Sequence, residues 1–169
     1  YPRLVVMGSL SKRSNVPGLR SGFVAGDAQG LKPFLLYRTY HGSALSNTVQ
    51  QASIGAWNDE AHVLENRRLY REKFATFFDL VNPALPLSRP DAAFYFWCRV
   101  PGDDEAFTRD LYAAAGVIVL PGSYLSREAH GTNPGRGYVR MALVSTVAEA
   151  AEAGQRIAAF AREHRAAKT

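Results

Sequence analysis

Four polar side chains near a glycine-rich turn have the types needed for phosphate and aldehyde chemistry. Lys12 lies in a polar stretch that follows a short apolar run. A lysine at the end of a strand is partly desolvated, and nearby positive charge favours its neutral, nucleophilic amine. Ser9 and Ser11 offer hydroxyl groups, and Arg20 adds a planar cation suited to phosphate oxygens. This combination favours condensation of the lysine with a phosphorylated aldehyde such as pyridoxal phosphate. The same residues are equally compatible with a solvated surface turn.

The whole stretch, Gly8 to Gly22 (GSLSKRSNVPGLRSG), resembles the lysine motif of the class I/II aminotransferases, pyridoxal-phosphate enzymes of fold type I. The resemblance implies that Lys12 is the catalytic lysine that binds the cofactor covalently. It further implies that Ser9 and Arg20, three residues before and eight after the lysine, bind the cofactor phosphate. Ser11 contacts the phosphate in many members of that family.

Arg140 is a second candidate, within the segment Tyr138 to Ala142 (YVRMA). A guanidinium group can bind a carboxylate through two parallel hydrogen bonds. The alternative is a partly buried ion-pair partner. In the same family, an arginine of a late strand holds the α-carboxylate of the substrate, and the resemblance assigns that role to Arg140.

The secondary structure predicted around these candidate residues indicates an α/β fold. The first part predicts a short buried strand over residues 3–7, a loop, a strand over residues 22–25 and a short helix over residues 31–40. Apolar residues at helical spacing then predict one long helix, residues 48–81, bent near Gly55. The remainder predicts strand, helix, strand, loop, strand and helix, with the helices on one face of the sheet.

By resemblance, the chain corresponds to the C-terminal part of a fold type I aminotransferase. The expected division is residues 1–47 as the end of the large cofactor-binding domain, 48–82 as a connecting helix and 83–169 as the small C-terminal domain, an α/β sandwich. Family members also use groups from an N-terminal half, including an aspartate that pairs with the pyridine nitrogen. We therefore expect the 169 residues alone to be a poor catalyst.

The amino-acid composition excludes several classes of protein and of binding site. Of the 169 residues, 47% are hydrophobic and 21% are charged, which suits a globular domain and not a disordered chain. The longest apolar run is too short to span a membrane, and no leader peptide is recognisable. The single cysteine, Cys98, excludes an internal disulfide and a cysteine zinc site, and the four histidines have no metal-ligand spacing. No metal is expected.

The net charge of +5 could favour an anionic partner. Acidic residues are interleaved with the densest basic residues, however, so a solvated helix face is the better interpretation. We expect a cytoplasmic enzyme without a nucleic-acid or membrane partner.

Two further stretches, residues 37–57 and 91–101, most resemble the succinyldiaminopimelate aminotransferases of bacterial lysine biosynthesis. This resemblance implies glutamate as amino donor, N-succinyl-2-amino-6-oxopimelate as acceptor and a homodimer. The alternatives are another class I aminotransferase, a β C–S lyase on the same fold, or the aminotransferase-like effector domain of a transcription regulator.

Overall fold

The computed structural model describes residues 2–42 and 44–166, with side chains described through residue 164. The chain divides into two compact units, Tyr1–Arg67 and Arg68–Thr169, and each is described by itself. Helices and strands are both present, so the predicted α/β class is confirmed.

The first unit pairs two strands next to a set of helices. The strands are antiparallel, with Val5 opposite Gly26 and Ser9 opposite Gly22. The elements are β1 (Val5–Ser9), α1 (Leu10–Arg13), a 3₁₀ turn (Pro17–Leu19), β2 (Gly22–Gly26), α2 (Ala28–Tyr40), α3 (Asn47–Asn58) and the start of α4 (Ala61–Val81).

The prediction that the first strand is buried is wrong for the described chain. Met7 is 75% exposed, and Val5 and Val6 are nearly half exposed. Apolar β-branched residues favour a strand with a buried face, but they do not show that other residues of the chain pack against that face.

The predicted single long helix is also corrected: the structure has two helices, separated by Asp59 and Glu60. The break does not coincide with Gly55, which lies inside α3. Asp59 is extended, with φ −102° and ψ 114°. Its carboxylate accepts a hydrogen bond from the backbone N–H of Ala61 at 2.8 Å. An aspartate that caps a new helix competes with continuation of the previous one, and apolar periodicity does not reveal that competition.

The second unit contains a three-stranded antiparallel sheet in the order β3–β5–β4. The apolar residues 117–120 predict a strand, but the strand β4 that the structure has there contains only two residues. The predicted loop after it begins as a short helix. The elements are β3 (Tyr95–Arg99), α5 (Asp104–Ala115), β4 (Leu120–Pro121), α6 (Gly122–Leu125), β5 (Tyr138–Ala142) and α7 (Val147–Ala166).

Alternation along the strands places one face of this sheet in a hydrophobic core. Phe96 and Val139 are fully buried, and the helices α4, α5 and α7 contribute Phe77, Phe107 and Ile157 to the same cluster. The opposite face carries Tyr95, Trp97, Tyr138 and Arg140, which are not buried. The side of the sheet away from the core therefore carries the arginine predicted from the sequence.

None of the helices in the described residues is both long enough and apolar enough to cross a membrane.

Candidate functional site

Lys12 lies on α1, a single turn that starts at the end of β1. Ser9 caps this turn, because its Oγ accepts a hydrogen bond from the backbone N–H of Ser11 at 3.1 Å. The Ser9 and Ser11 hydroxyl oxygens lie 3.0 Å apart. The structure thus brings together both predicted serines immediately before Lys12, whose side chain is exposed.

Arg20 ends the 3₁₀ turn in a left-handed conformation, with φ 52° and ψ 32°. A non-glycine residue in this region is uncommon and indicates that the surroundings fix the backbone. Both the backbone N–H and the guanidinium of Arg20 donate to the carbonyl of Pro17, at 3.3 and 2.9 Å. Arg20 is exposed and belongs to the same loop as Lys12.

Two buried serines, Ser21 and Ser53, are hydrogen-bonded to each other next to this loop. Neither was identified as a candidate from the sequence. Ser9 Oγ donates to the carbonyl of Ser21 at 3.1 Å. Ser53 Oγ, on α3, lies 2.7 Å from Ser21 Oγ and 2.6 Å from the carbonyl of Val49. Buried hydroxyls with hydrogen-bond partners fix local geometry, because breaking the network leaves an unsatisfied polar group. In the sequence, Ser21 directly follows Arg20, which could have indicated a role in the loop. Its hydrogen-bond partner Ser53 on α3 is distant in the sequence.

Arg140 occupies the central strand of the second unit, opposite Trp97 of β3 and Leu120 of β4. Its Nε is buried and has no hydrogen-bond partner among the residues that the structure describes. The guanidinium carbon lies 5.7 Å from the centre of the Tyr95 ring. A cavity of about 520 Å³ is lined by Tyr95, Trp97, Leu125 and Arg140. An unpaired guanidinium nitrogen beside an aromatic cavity is suited to binding a carboxylate.

Alternation of side chains along β3 predicts that its aromatic residues pack in the core or at a subunit interface. Phe96 does pack in the core. Tyr95 and Trp97 point to the other face, where Trp97 stacks on Tyr138 with ring centres 5.7 Å apart. Alternation predicted the two faces, but the sequence did not show that one of them borders the arginine.

A buried carboxylate, Asp104, holds the loop that leads to β5. It accepts hydrogen bonds from the backbone N–H groups of Ser123 at 2.9 Å and Gly137 at 3.0 Å. Burial alone would raise the pKa of Asp104, but these backbone donors outweigh it and hold the pKa below its usual value. Asp104 therefore fixes both α6, which carries Leu125, and the start of β5. It was predicted only as the first residue of a helix.

His41 directly follows α2 and stacks on Tyr37 with ring centres 4.3 Å apart. Within the part of the chain that the structure describes, no three histidine, cysteine or acidic side chains form a group that could hold a metal ion.

Comparison with known proteins identifies one family. The model of aminotransferase class I and II matches residues 1–157. An LL-diaminopimelate aminotransferase of Syntrophobacter fumaroxidans is 34% identical over 153 residues, which cover 88% of this chain and 38% of that protein.

Two solved structures give the same result. An aminotransferase from Neisseria meningitidis is 56% identical with a TM-score of 0.87, covering 95% of this chain and 41% of that one. A probable N-succinyldiaminopimelate aminotransferase from Thermus thermophilus is 31% identical with a TM-score of 0.79, covering 93% and 42%.

The chain thus spans about two fifths of the length of the proteins it matches. Enzymes of this family depend on pyridoxal 5′-phosphate, and they share the fold type I architecture. On this evidence, the chain belongs to the class I and II aminotransferases.

Proposed function

We propose that the chain provides the lysine loop and the carboxylate-binding arginine of a pyridoxal-phosphate-dependent aminotransferase. The observation that carries this proposal is the loop from Ser9 to Arg20, where two adjacent hydroxyls, an exposed lysine and an arginine belong to one short segment. This donor set fits the cofactor, because hydroxyls and a guanidinium suit a phosphate and an amine suits an aldehyde. Lys12 and Arg140 lie in different units, and each role is proposed from its own surroundings.

The proposed roles follow from the chemistry of each group. Ser9, Ser11 and Arg20 bind the phosphate of the cofactor. When bound, pyridoxal phosphate supplies an aldehyde for the lysine amine and a ring that withdraws electrons from the substrate Cα. Lys12 Nζ would remove the proton from the substrate Cα as a general base and, as a general acid, deliver it to C4′, the aldehyde carbon of the cofactor.

Arg140 binds the substrate α-carboxylate and so orients the bond from Cα to hydrogen. Its guanidinium has an unpaired buried Nε, and the aromatic rings of Tyr95 and Trp97 flank the cavity in front of it. Low solvent access strengthens a charge-assisted hydrogen bond. The geometry supports recognition of a carboxylate, which every amino acid and 2-oxo acid carries.

For the substrate, we propose transfer of the amino group of glutamate to N-succinyl-2-amino-6-oxopimelate, by a homodimeric enzyme of lysine biosynthesis. The resemblance of residues 37–57 and 91–101 supports this assignment, as does the name of the Thermus thermophilus structure. A second candidate is LL-diaminopimelate, which the name of the Syntrophobacter fumaroxidans relative indicates.

The cofactor proposal is tested by borohydride reduction of the natural protein that contains these residues, after incubation with pyridoxal phosphate, followed by peptide mapping. We expect the reduced adduct on Lys12 and none in Lys12→Ala. Lys32→Ala, outside the loop, is the matched control and retains the adduct. An adduct elsewhere, or none in the wild-type protein, would rule out the proposed mechanism.

The substrate proposal is tested by steady-state kinetics of the same protein with glutamate and each candidate oxo acid. Arg140→Lys should raise the KM for the amino acid about tenfold or more, because a point charge replaces a bidentate partner. Its borohydride adduct on Lys12 should be unchanged. Release of pyruvate from cystathionine without an oxo acid would instead favour the C–S lyase.

A further inference from the structure

Three polar side chains form a hydrogen-bonded row that connects the end of α1 to the start of α4. Asp59 Oδ2 lies 2.7 Å from His62 Nδ1, and His62 Nε2 lies 2.8 Å from Ser14 Oγ. Ser14 directly follows α1 and is two residues from Lys12. All of these residues belong to the first unit. The functional roles proposed above do not use this row.

Asp59 determines which nitrogen of His62 carries the proton. Its carboxylate accepts hydrogen bonds from His62 and from the backbone N–H of Ala61, and these bonds hold the pKa of Asp59 below its usual value, with His62 as the larger cause. An ionised carboxylate can only accept, so Nδ1 of His62 carries a proton. In the neutral imidazole form, the other nitrogen, Nε2, accepts from the hydroxyl of Ser14.

The two neighbours of Ser14 contact the same region, so that residues 13–15 all bind to the segment 56–66, which we call the α3–α4 corner. The Arg13 guanidinium donates to a backbone carbonyl of α3 at 2.7 Å. Asn15 Nδ2 donates to Asn66 Oδ1 at 2.6 Å. Three consecutive side chains after Lys12 are therefore attached to one place.

Such attachment is needed because α1 has only four residues, Leu10–Arg13. A single helical turn has no stability of its own in water, since nucleation is unfavourable. On one side of Lys12, Leu10 is fully buried. On the other side, the α3–α4 corner provides the anchor. The chain is therefore held in place on both sides of Lys12.

We propose that the Asp59–His62–Ser14 row is a positioning device for Lys12. It fixes the C-terminal end of α1 and so sets the direction of the lysine amine, without contacting cofactor or substrate. Ser14, His62 and Asp59 are thus positioning residues, and this inference rests on the proposed role of Lys12.

The test compares Ser14→Ala, which removes the link to His62, with Ser14→Thr, which retains a hydroxyl. Glu72→Gln is the matched control, because Glu72 is also hydrogen-bonded on α4, to Arg68 and not to Ser14 or His62. In the natural protein, we would measure the pyridoxal phosphate concentration that gives half-maximal adduct on Lys12. Hydrogen exchange of residues 10–16 without cofactor and the melting temperature would be measured on the same variants.

Ser14→Ala should raise the half-saturating concentration about tenfold, since one hydrogen bond is lost. Exchange in residues 10–16 should become faster, and Ser14→Thr should restore most of both effects, while Glu72→Gln matches the wild-type protein. If Ser14→Ala does not fold, His62→Gln replaces it, with the same expected shift.

Two results would overturn the inference. In the first, Ser14→Ala matches the wild-type protein in adduct formation and in exchange, so that only the positioning role fails. In the second, the wild-type protein forms no adduct on Lys12, so that the proposed function fails and the inference with it.

Discussion

At the scale of single residues, Cys98 shows how burial changes the chemistry of a side chain. The thiol is 1% exposed, and its Sγ lies 3.3 Å from the carbonyl of Arg99. Burial raises the pKa of Cys98 to about 12. A lone cysteine within an aromatic run predicts a buried thiol and not a nucleophile, and the position of Cys98 in the core agrees.

We predict that folded protein resists alkylation at Cys98. With a pKa of about 12, roughly one thiol in ten thousand is ionised at pH 8, and the thiolate is the reactive species. Mass spectrometry after iodoacetamide treatment should therefore show slow labelling of the folded protein and complete labelling in guanidinium chloride. Equal rates in both conditions would contradict this account.

The individual candidate residues could be proposed from the sequence because their chemistry is local. Lys12, Ser9 and Arg20 lie within one loop, and residue type with spacing is enough to suggest what they bind. Their supports could not be predicted in the same way. Ser53 and His62 reach the loop only through folding, and nothing near them in the sequence indicates a partner.

At the scale of elements, α6 and the loop before β5 approach each other unusually closely. A Cβ added to Gly135 would lie 2.1 Å from the carbonyl oxygen of Gly122. The backbone N–H of Gly135 donates to Asn133 Oδ1 at 2.9 Å. Backbone packed against backbone leaves no room for a side chain. This contact holds Leu125, at the end of α6, beside the cavity of Arg140.

Gly135→Ala should therefore destabilise the chain by about 1–3 kcal/mol, as expected for overpacking. Gly154→Ala is the matched control within α7. Its added Cβ would meet Phe77 at 3.4 Å, an ordinary contact, and alanine favours a helix by up to about 1 kcal/mol. Chemical denaturation followed by circular dichroism measures both. Equal stability of the two variants would show that the close approach is not required.

Helices that begin at a capping residue can be predicted from the sequence, because the cap lies next to the helix it starts. Asp103 caps α5 by accepting from the backbone N–H of Ala106, and Thr146 and Glu149 form a reciprocal cap at the start of α7. The two-residue strand β4 was predicted too long, because pairing with β5 and not apolar character sets its length. Strand extent depends on partners that are distant in the sequence.

At the scale of the whole molecule, apolar burial differs between the two units. Among the described residues of the first unit, the buried hydrophobic side chains are Leu10 and Val63. The second unit has a continuous core shared by sheet and helices. A wide cavity of about 820 Å³ in the first unit is lined by β1, β2 and α2, with Met7 and Leu35 each more than 70% exposed. The related structures are more than twice as long as this chain.

We predict that residues 59–169 fold by themselves and that residues 1–58 do not. The first fragment retains the core and the Asp59 cap of α4, whereas the second lacks enough buried apolar surface to offset its conformational entropy. Thermal denaturation should show a cooperative transition for residues 59–169 only. Dye binding to exposed apolar surface should be strong for residues 1–58, and a cooperative transition there would contradict the prediction.

The placement of the two tryptophans provides an optical readout. Trp57 belongs to the first unit, with its ring 5.2 Å from that of Phe23, while Trp97 borders the cavity of Arg140 in the second. Of the two tryptophans in these 169 residues, a Trp57→Phe variant retains only Trp97. Stacked on Tyr138 and open to the cavity, the indole of Trp97 would change its emission when a carboxylate displaces water there. The same residue that forms a wall of the cavity would then report its occupancy, without any added label.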